Sequence, residues 1–582
     1  MQIKKMKFSH HIQNYFPNFK VSLFKTINNK NLSLTYSVPS KAENLNEIIQ
    51  WPTNIFLILY TLVDYTDKYR LLVAPQKHFK WDRNNLNTLN LLAKEWDTFF
   101  GGKPLALGSV LIKHLNVIFK RKNFNQCVYD LINSDSGFCS SLFFVLLSID
   151  RAFEDNNLKK FDYDELTNIE VALLTRMVMK DLYDSSPKNS EIALEPNIAD
   201  NDTRYGFVSF KSLVPQSGLT INNLCQNLTF IKPSVKPQIV YNNTKNNSKR
   251  YNVLLLPWPY EIRDEYFSSS KVKPIETDNY FDFFSYEPME NYSELSKSFM
   301  SAIVTCMKRV GQIDLIVLPE CSLSQVHYDR LRDLLYEKFK DNSPSLLAGV
   351  YGRTPEGVGI NKAVLSFIGA SGDFDYISQN KHHRWFLDRD QIRTYNLATQ
   401  LDPNKKWWED IGVSRRNLVI LDTSNGVKLC PLVCEDLARQ EPVAQAVRSI
   451  GPNFVISLLL DGPQLENRWP GKYSAVLSDD PGCTVFSVTP LGMTLRSTGS
   501  GFSPSRVVGL WSEPNKPSER IEIQDEGIGV LLELSLSETQ CWSIDGRVEN
   551  KVIPKKEFHT TIKDEYSDLN SSLIRTIFLK KS

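Results

Sequence analysis

The sequence predicts an α+β chain of more than one domain, an all-helical N-terminal part followed by a mixed part in which strands and helices alternate. Three observations carry this. Between residues 43 and 184 apolar residues recur at spacings of three and four. A stretch rich in Asn, Ser, Pro and Lys interrupts the pattern at 185–250. From 251 to 537 short apolar runs of strand length alternate with helical segments, the pattern of sheets covered by helices. At 582 residues the chain exceeds one ordinary core, and roughly 100 to 200 residues per domain gives two to four domains.

Taken in order, residues 1–42 form a basic arm in which Lys4, Lys5, Lys7, Lys20, Lys25, Lys30 and Lys41 precede the first acid, Glu43. Such an arm suits a nucleic acid backbone or a partner protein's acidic face, but a solvated, frayed terminus is the favoured reading. Helical periodicity then marks residues 85–100, 105–119, 140–153 and 164–182, the last capped by Asp164. Five to seven helices are expected, their apolar stripes forming a core. The stretch from Lys232 to Lys249 reads as a linker, placing a domain boundary near 235–250. Short apolar segments at 205–214 and 228–231 are candidate strands that dock on one neighbour or the other.

Beyond the linker, strands are expected at 253–256, 313–318, 346–350, 363–368, 374–378, 418–421, 427–433, 454–459, 484–488 and 527–534. Helices are expected at 292–310, 325–339, 443–449 and 472–477, with an irregular aromatic insertion before 289. Runs apolar on both faces argue for sheets buried on both sides. Residues 538–582 are left as a C-terminal extension.

With 42% hydrophobic and 23% charged residues and a net charge of +2, the composition is globular, without the excess charge that signals a nucleic acid or membrane partner. The apolar stretches at 55–63 and 141–149 fall short of the roughly 20 residues of a membrane span. The N-terminus lacks the apolar core of a secretory signal. A cytoplasmic protein with no membrane partner is expected. Nine cysteines without paired spacing fit reduced thiols. Cys321, Cys430, Cys434, His382 and His383 contain no C-x-x-C or H-x-x-x-H pair. With no phosphate-binding or dinucleotide glycine motif, no metal and no cofactor are expected.

The chemistry is concentrated in three segments, each following an apolar run: Leu315-Ile316-Val317-Leu318-Pro319-Glu320, Gln379-Asn380-Lys381-His382-His383-Arg384 and Cys430-Pro431-Leu432-Val433-Cys434-Glu435-Asp436-Leu437. A thiol with a pKa near 8.5 is a poor nucleophile at neutral pH until a base or cation favours the thiolate. Lys381 supplies the cation for thiolate and oxyanion, and Glu320 takes the thiol proton and returns it to a leaving amine. The chain passes from strand straight to polar residues at Cys434, as at a nucleophile turn, which makes the Glu435 N–H a second oxyanion donor by analogy with other such turns.

In order and spread these residues resemble the Glu-Lys-Cys triad of the nitrilase, or carbon–nitrogen hydrolase, superfamily. The resemblance covers about residues 251–537. It includes Asn361-Lys362-Ala363-Val364, similar to a family strand beginning with Asn, Val433-Cys434-Glu435-Asp436-Leu437, similar to the nucleophile segment of glutaminase-type members, and Ser500 to Ser505, where members carry a Gly-Ser turn. It implies a nitrilase-like α-β-β-α sandwich, an acyl-thioester on Cys434, a small amide-type substrate and a homo-oligomer. The family's second glutamate between lysine and cysteine has its candidate in Glu409. An Arg often follows the cysteine at the fourth position; here Ala438 stands there and Arg439 one further on, which alters the substrate end of the pocket. Residues 381–409, with Arg384, Trp385, Arg389 and Arg393, read equally as a lid selecting an anionic substrate or as a surface loop stapled by Asp388 and Asp390.

The leading function is an amidase-type hydrolase. Nitrile hydrolysis is narrower, a glutaminase feeding a synthetase is disfavoured because no nucleotide-binding domain follows, and the acyltransferase branch is disfavoured because its members are membrane-embedded. The alternative is a binding or assembly module, since domains of this superfamily resemble those fused to reverse transcriptases in bacterial antiviral defence; no Tyr-x-Asp-Asp motif is present.

Overall fold

A computed structural model describes residues 6–154 and 205–565, apart from positions 24, 30, 31, 36, 38–40, 75, 243–247, 272, 274, 290, 370, 371 and 415. The helix expected at 164–182 lies outside the described residues.

The N-terminal part is built on helices Pro52–Thr66, Arg83–Phe100, Val110–Ile118 and Ser136–Ala152, with shorter helices at Phe8–Gln13, Leu45–Ile49 and Val128–Ser134. Pro52–Thr66 is apolar nearly all round and buried from Pro52 to Val63, so it is the central helix. Its neighbours start on side-chain caps: Asn44 and Glu47 form a reciprocal box, Asp82 accepts from the Asn84 N–H, and Asp135 from that of Phe138. No single helix among the described residues is long and apolar enough to cross a membrane. Only the pair Val128–Ser134 and Ser136–Ala152, bent by 100°, passes together on length and composition, and its apolar residues lie in this core.

The basic arm departs from the frayed terminus expected of it. Phe8, Ile12, Phe16, Phe19 and Ile27 are buried in the helical core, and the Phe8 ring stacks on Phe119 and Phe124 at 5.9 Å. Lysines dominate the charge of the arm, but the aromatic and aliphatic residues between them decide the outcome through buried area.

The second part contains two seven-stranded sheets. The first has the strand order Phe374–Asn380, Gly359–Ile368, Ser345–Arg353, Leu315–Ser324, Arg250–Leu255, Gly527–Trp542 and Val548–Lys563. The second runs Glu519–Glu522, Val507–Ser512, Thr484–Val488, Phe454–Leu458, Lys428–Val433, Asn417–Thr423 and Lys236–Asn242. Val253, Leu315 and Val317 of the first share one apolar core with Val419, Leu429 and Phe454 of the second. Helices Tyr292–Val310 and Gln325–Phe339 cover the outer face of the first sheet, and Gln445–Ile450 and Trp469–Asp479 that of the second. Strands buried on both faces explain the continuous apolar runs of the sequence.

Three segments differ from expectation. Lys236–Asn242, assigned to the linker, is an edge strand parallel to Asn417–Thr423 with Pro237 opposite Leu418; an edge position tolerates the proline that made the segment look like a linker. Residues 538–563, assigned to a C-terminal extension, continue a hairpin of two 16-residue strands in the first sheet, whose polar alternation hides a strand half exposed to water. The aromatic insertion contributes strands Phe267–Ser269 and Phe281–Tyr286 to a four-stranded sheet with Phe386–Leu387 and Lys406–Glu409.

The candidate strands before the linker touch both neighbours. Phe207–Phe210 pairs with Leu228–Ile231; Val208 and Leu228 belong to the helical core, whereas Leu213, Val214 and Ile231 join the outer core of the second sheet. Buried Asp150 fixes this junction. It accepts the backbone N–H groups of Gln226, Asn227 and Leu228 at 2.7 to 2.9 Å and pairs with Arg547 at 2.8 Å, satisfying a charge that would be costly unpaired.

Candidate active site

Each of the three sequence segments is bent at its chemical residue. The strand Leu315–Ser324 loses register with Ser345–Arg353 between Leu318 and Leu323, and Cys321 adopts φ 50°. This bulge presents Glu320 at the sheet end. Gly349 makes room for it, since a Cβ there would stand 2.4 Å from the Glu320 Cα. Lys381 directly follows strand Phe374–Asn380, its backbone N–H donating to the Asn361 carbonyl at 2.9 Å. Cys434 follows strand Lys428–Val433 with φ 48° and opens a single 3₁₀ turn to Leu437. A non-glycine residue at positive φ is strained, the geometry of a nucleophile turn.

The side chains converge on one ammonium. Lys381 Nζ donates to Glu320 Oε1 at 2.8 Å and to Glu409 Oε2 at 2.6 Å. The Asn361 side-chain amide donates to the same two carboxylates, at 2.8 and 2.6 Å. The Leu460 N–H donates to Glu320 Oε2 at 2.6 Å, and the Trp385 N–H to Glu409 Oε2 at 3.0 Å. Glu320 and Cys434 are each 1% exposed and Lys381 is fully enclosed, so these charges act in a low-dielectric site.

The electrostatics follow from that enclosure. Burial raises the Glu320 carboxyl above its ordinary value; Lys381 opposes the rise and Glu409 reinforces it. Burial also works against the Lys381 charge, but Cys434 and the two glutamates outweigh it, and Lys381 is held well above the ordinary lysine value as an ammonium. The Cys434 thiol is pushed well up, first by burial and then by Glu320, against the pull of Lys381. Burial and Glu320 thus favour the thiol over the thiolate, against the stabilisation expected of Lys381.

Glu320, Cys321 and Glu409 bring ligand atoms within 4.8 Å of one another. Lys381 Nζ sits between the two carboxylates and fills the place a cation would take.

Of the remaining sequence candidates, Glu409 enters the site directly. Arg384 donates to the Glu409 carbonyl at 3.1 Å and lies over the Phe283 ring at 5.3 Å, holding the strand that carries Glu409. Trp385 acts on Glu409 through its backbone, while its ring is buried against Phe284 and Tyr395. The Arg439 side chain is 53% exposed and pairs with the Glu435 carboxylate at 2.5 Å, which directs Arg439 toward solvent. The segment after Lys381 is ordered as the strand Phe386–Leu387 and the helix Arg389–Thr394, which Asp388 caps reciprocally with Gln391, the staple expected of Asp388.

Two contributors escaped sequence reasoning. Asp436, fully buried, accepts the His382 N–H at 3.1 Å on both oxygens and lies 3.0 Å from His383 Nδ1. It ties the turn bearing Cys434 to the segment bearing Lys381. The acid two residues after the cysteine and the histidine pair after the lysine were its only signal. Leu460 contributes a backbone amide, which no residue type announces.

No protein-family model and no curated protein sequence matches the chain. Solved structures of nitrilase-superfamily enzymes match about half of it. A glutamine-dependent NAD+ synthetase from Acinetobacter baumannii is 12% identical over 49% of this chain and 46% of its own, with a TM-score of 0.30. The matched region thus spans less than half the length of that synthetase. An amidase from Nesterenkonia sp. AN1, carrying acrylamide added at its active-site cysteine, is 12% identical over 49% of this chain and 93% of its own, with a TM-score of 0.30. Nit3 of Saccharomyces cerevisiae, a member of branch 10 of the nitrilase superfamily, is 14% identical over 58% of this chain and 97% of its own, with a TM-score of 0.27.

Proposed function

We propose that the chain is a cysteine-dependent carbon–nitrogen hydrolase of the nitrilase superfamily, its second part an α-β-β-α sandwich, cleaving a small amide through an acyl-thioester on Cys434. One observation carries this reading: an ammonium clamped between two buried glutamates in the electrostatic field of a cysteine on a strained turn.

Glu320 takes the Cys434 thiol proton as the sulfur attacks the amide carbon. Lys381 has spent two of its three N–H donors on the glutamates and keeps the third for the oxyanion. The Glu435 N–H is the second donor. Collapse of the tetrahedral intermediate expels the amine with the proton held by Glu320, leaving the acyl-thioester. Glu320 then deprotonates a water that attacks the same carbon, and the carboxylic acid departs as the thiol is restored. The raised basicity of Glu320 suits it to both transfers. Glu409 and Asn361 position Lys381 and Glu320 without contact to the reacting carbon.

Incubation with a panel of small amides, followed by mass spectrometry of the Cys434 peptide, tests this. Amine release together with an acyl adduct on Cys434, both lost in Glu320→Gln, supports the reading. Folded protein that releases no amine and forms no adduct across the panel contradicts it and favours an assembly module.

A further inference from the structure

The Leu460 N–H that donates to Glu320 Oε2 comes from the segment just beyond strand Phe454–Leu458, and an apolar side chain does little to fix the direction of its own amide. The next residue does. Asp461, 3% exposed, accepts on Oδ1 from the Gly462 N–H at 2.7 Å, from Arg468 Nη2 at 2.7 Å and from the Tyr395 hydroxyl. Its backbone is held separately: the Thr489 hydroxyl accepts the Asp461 N–H at 3.1 Å and donates to the Asp461 carbonyl at 2.5 Å.

The same anchor reaches toward the second carboxylate. The Tyr395 ring packs edge-on against that of Trp385 at 5.8 Å, and the Trp385 N–H donates to Glu409. Burial first, and then the Asp461 charge, push the Tyr395 hydroxyl well above its ordinary value, so it stays a donor. None of the Asp461 hydrogen bonds runs to Glu320, Lys381 or Cys434. Any influence on the chemistry passes through the backbone donors that Asp461 holds in place.

We propose that Asp461 is a positioning residue for the reaction described above, locking the turn that keeps the Leu460 N–H on Glu320 Oε2 and so holding that carboxylate ionised and ready for the Cys434 proton. A hydrogen bond donated to a carboxylate favours its charged form. With the Leu460 amide loosened, burial raises the Glu320 carboxyl further. The titratable groups that face Glu320 are Lys381, Glu409, Cys434, Cys321 and Tyr286, and a change at Asp461 alters the charge of none of them. A base that must be ionised to act then works only at higher pH.

This role presupposes the hydrolase chemistry, so the test has one arm that needs no turnover. Hydrogen–deuterium exchange of the peptide containing Leu460, measured in the full chain, is expected to quicken about tenfold or more in Asp461→Ala. The other arm is amide turnover against pH. Asp461→Ala is expected to move the acid limb of kcat up by about one pH unit, about the worth of one hydrogen bond to a charged group, with KM within about twofold. Tyr395→Phe, which removes one donor to Asp461 and keeps the ring, should shift the limb in the same direction by less, and it serves if Asp461→Ala does not fold. Unchanged exchange at Leu460, or an unmoved acid limb in the folded variants, overturns the role. If the wild type turns over no amide, the hydrolase reading is what fails, and exchange alone decides whether Asp461 holds the Leu460 amide.

Discussion

Glu409 holds the Lys381 ammonium at 2.6 Å, closer than Glu320 does at 2.8 Å. The two carboxylates thus share one cation, and removal of either leaves the ammonium with half of its counter-charge.

Removal of Glu409 should therefore cost both stability and rate. Breaking a buried pair leaves an uncompensated charge, worth about 3 to 5 kcal/mol. Glu409→Ala should lower the urea midpoint accordingly. Glu409→Gln, which retains an acceptor for Lys381 and the Trp385 N–H, should lose less stability while still reducing turnover. Equal midpoints for wild type and Glu409→Ala would show that the lysine is held by other means.

Asp436 joins the turn bearing Cys434 to the lysine segment through the His382 N–H and His383. Asp436→Asn keeps one acceptor and removes the charge. It should lower kcat by roughly ten- to a hundredfold with little change in KM, because the substrate touches neither His382 nor Asp436 in the proposed mechanism. A change confined to KM would place Asp436 in the binding pocket instead.

His11 reports on the buried N-terminal arm. Its ring is enclosed, with Nε2 3.0 Å from the Ile58 carbonyl, and burial lowers its pKa to about 4, against a smaller opposing effect of that carbonyl. The unfolded chain binds a proton near pH 6.5 that the folded chain refuses until about pH 4. Stability is thus fully present above 6.5 and falls as the pH drops through that window, by about 3 kcal/mol in total from this residue. Urea midpoints at pH 7 and pH 4.5 should differ less in His11→Gln than in the wild type. An undiminished difference would assign the acid sensitivity elsewhere.

Lys381 is the oxyanion donor of the proposed mechanism. Loss of one such donor typically costs about 3 to 4 kcal/mol in the barrier, so Lys381→Met should depress kcat by about two to three orders of magnitude. Retention of kcat within tenfold would remove Lys381 from the chemistry.

The helices at Tyr292–Val310 and Gln325–Phe339 were legible in the sequence because one amphipathic period states both type and extent. The buried strands were legible as short continuous apolar runs, and Glu320 and Cys434 stood out because each follows such a run, whereas Lys381, preceded by Ser378, Gln379 and Asn380, was read from its place between them. Lys236–Asn242 and Val548–Lys563 were not legible, since an edge strand and a half-exposed hairpin need little apolar sequence and their pairing partners lie far along the chain. The burial of the N-terminal arm was missed for a related reason: local charge is visible in a sequence, while the cavity that receives Phe8 and Phe16 is a tertiary property. Asn361 stood out only as a strand residue, because its bridge between Glu320 and Glu409 exists only once three distant segments meet.

In the proposed mechanism Glu320 acts on the Cys434 thiol, and the two effects of that carboxylate have opposite signs. Its charge raises the thiol pKa, yet its basicity drives acylation. The most direct measurement is the thiolate absorbance of Cys434 as a function of pH, compared with amide turnover, in wild type and Glu320→Gln, with Cys434→Ser as the blank. The mechanism predicts that Glu320→Gln titrates at lower pH than the wild type and yet loses amide turnover. A variant whose thiolate forms more readily and whose turnover is preserved or increased would contradict Glu320 as the base.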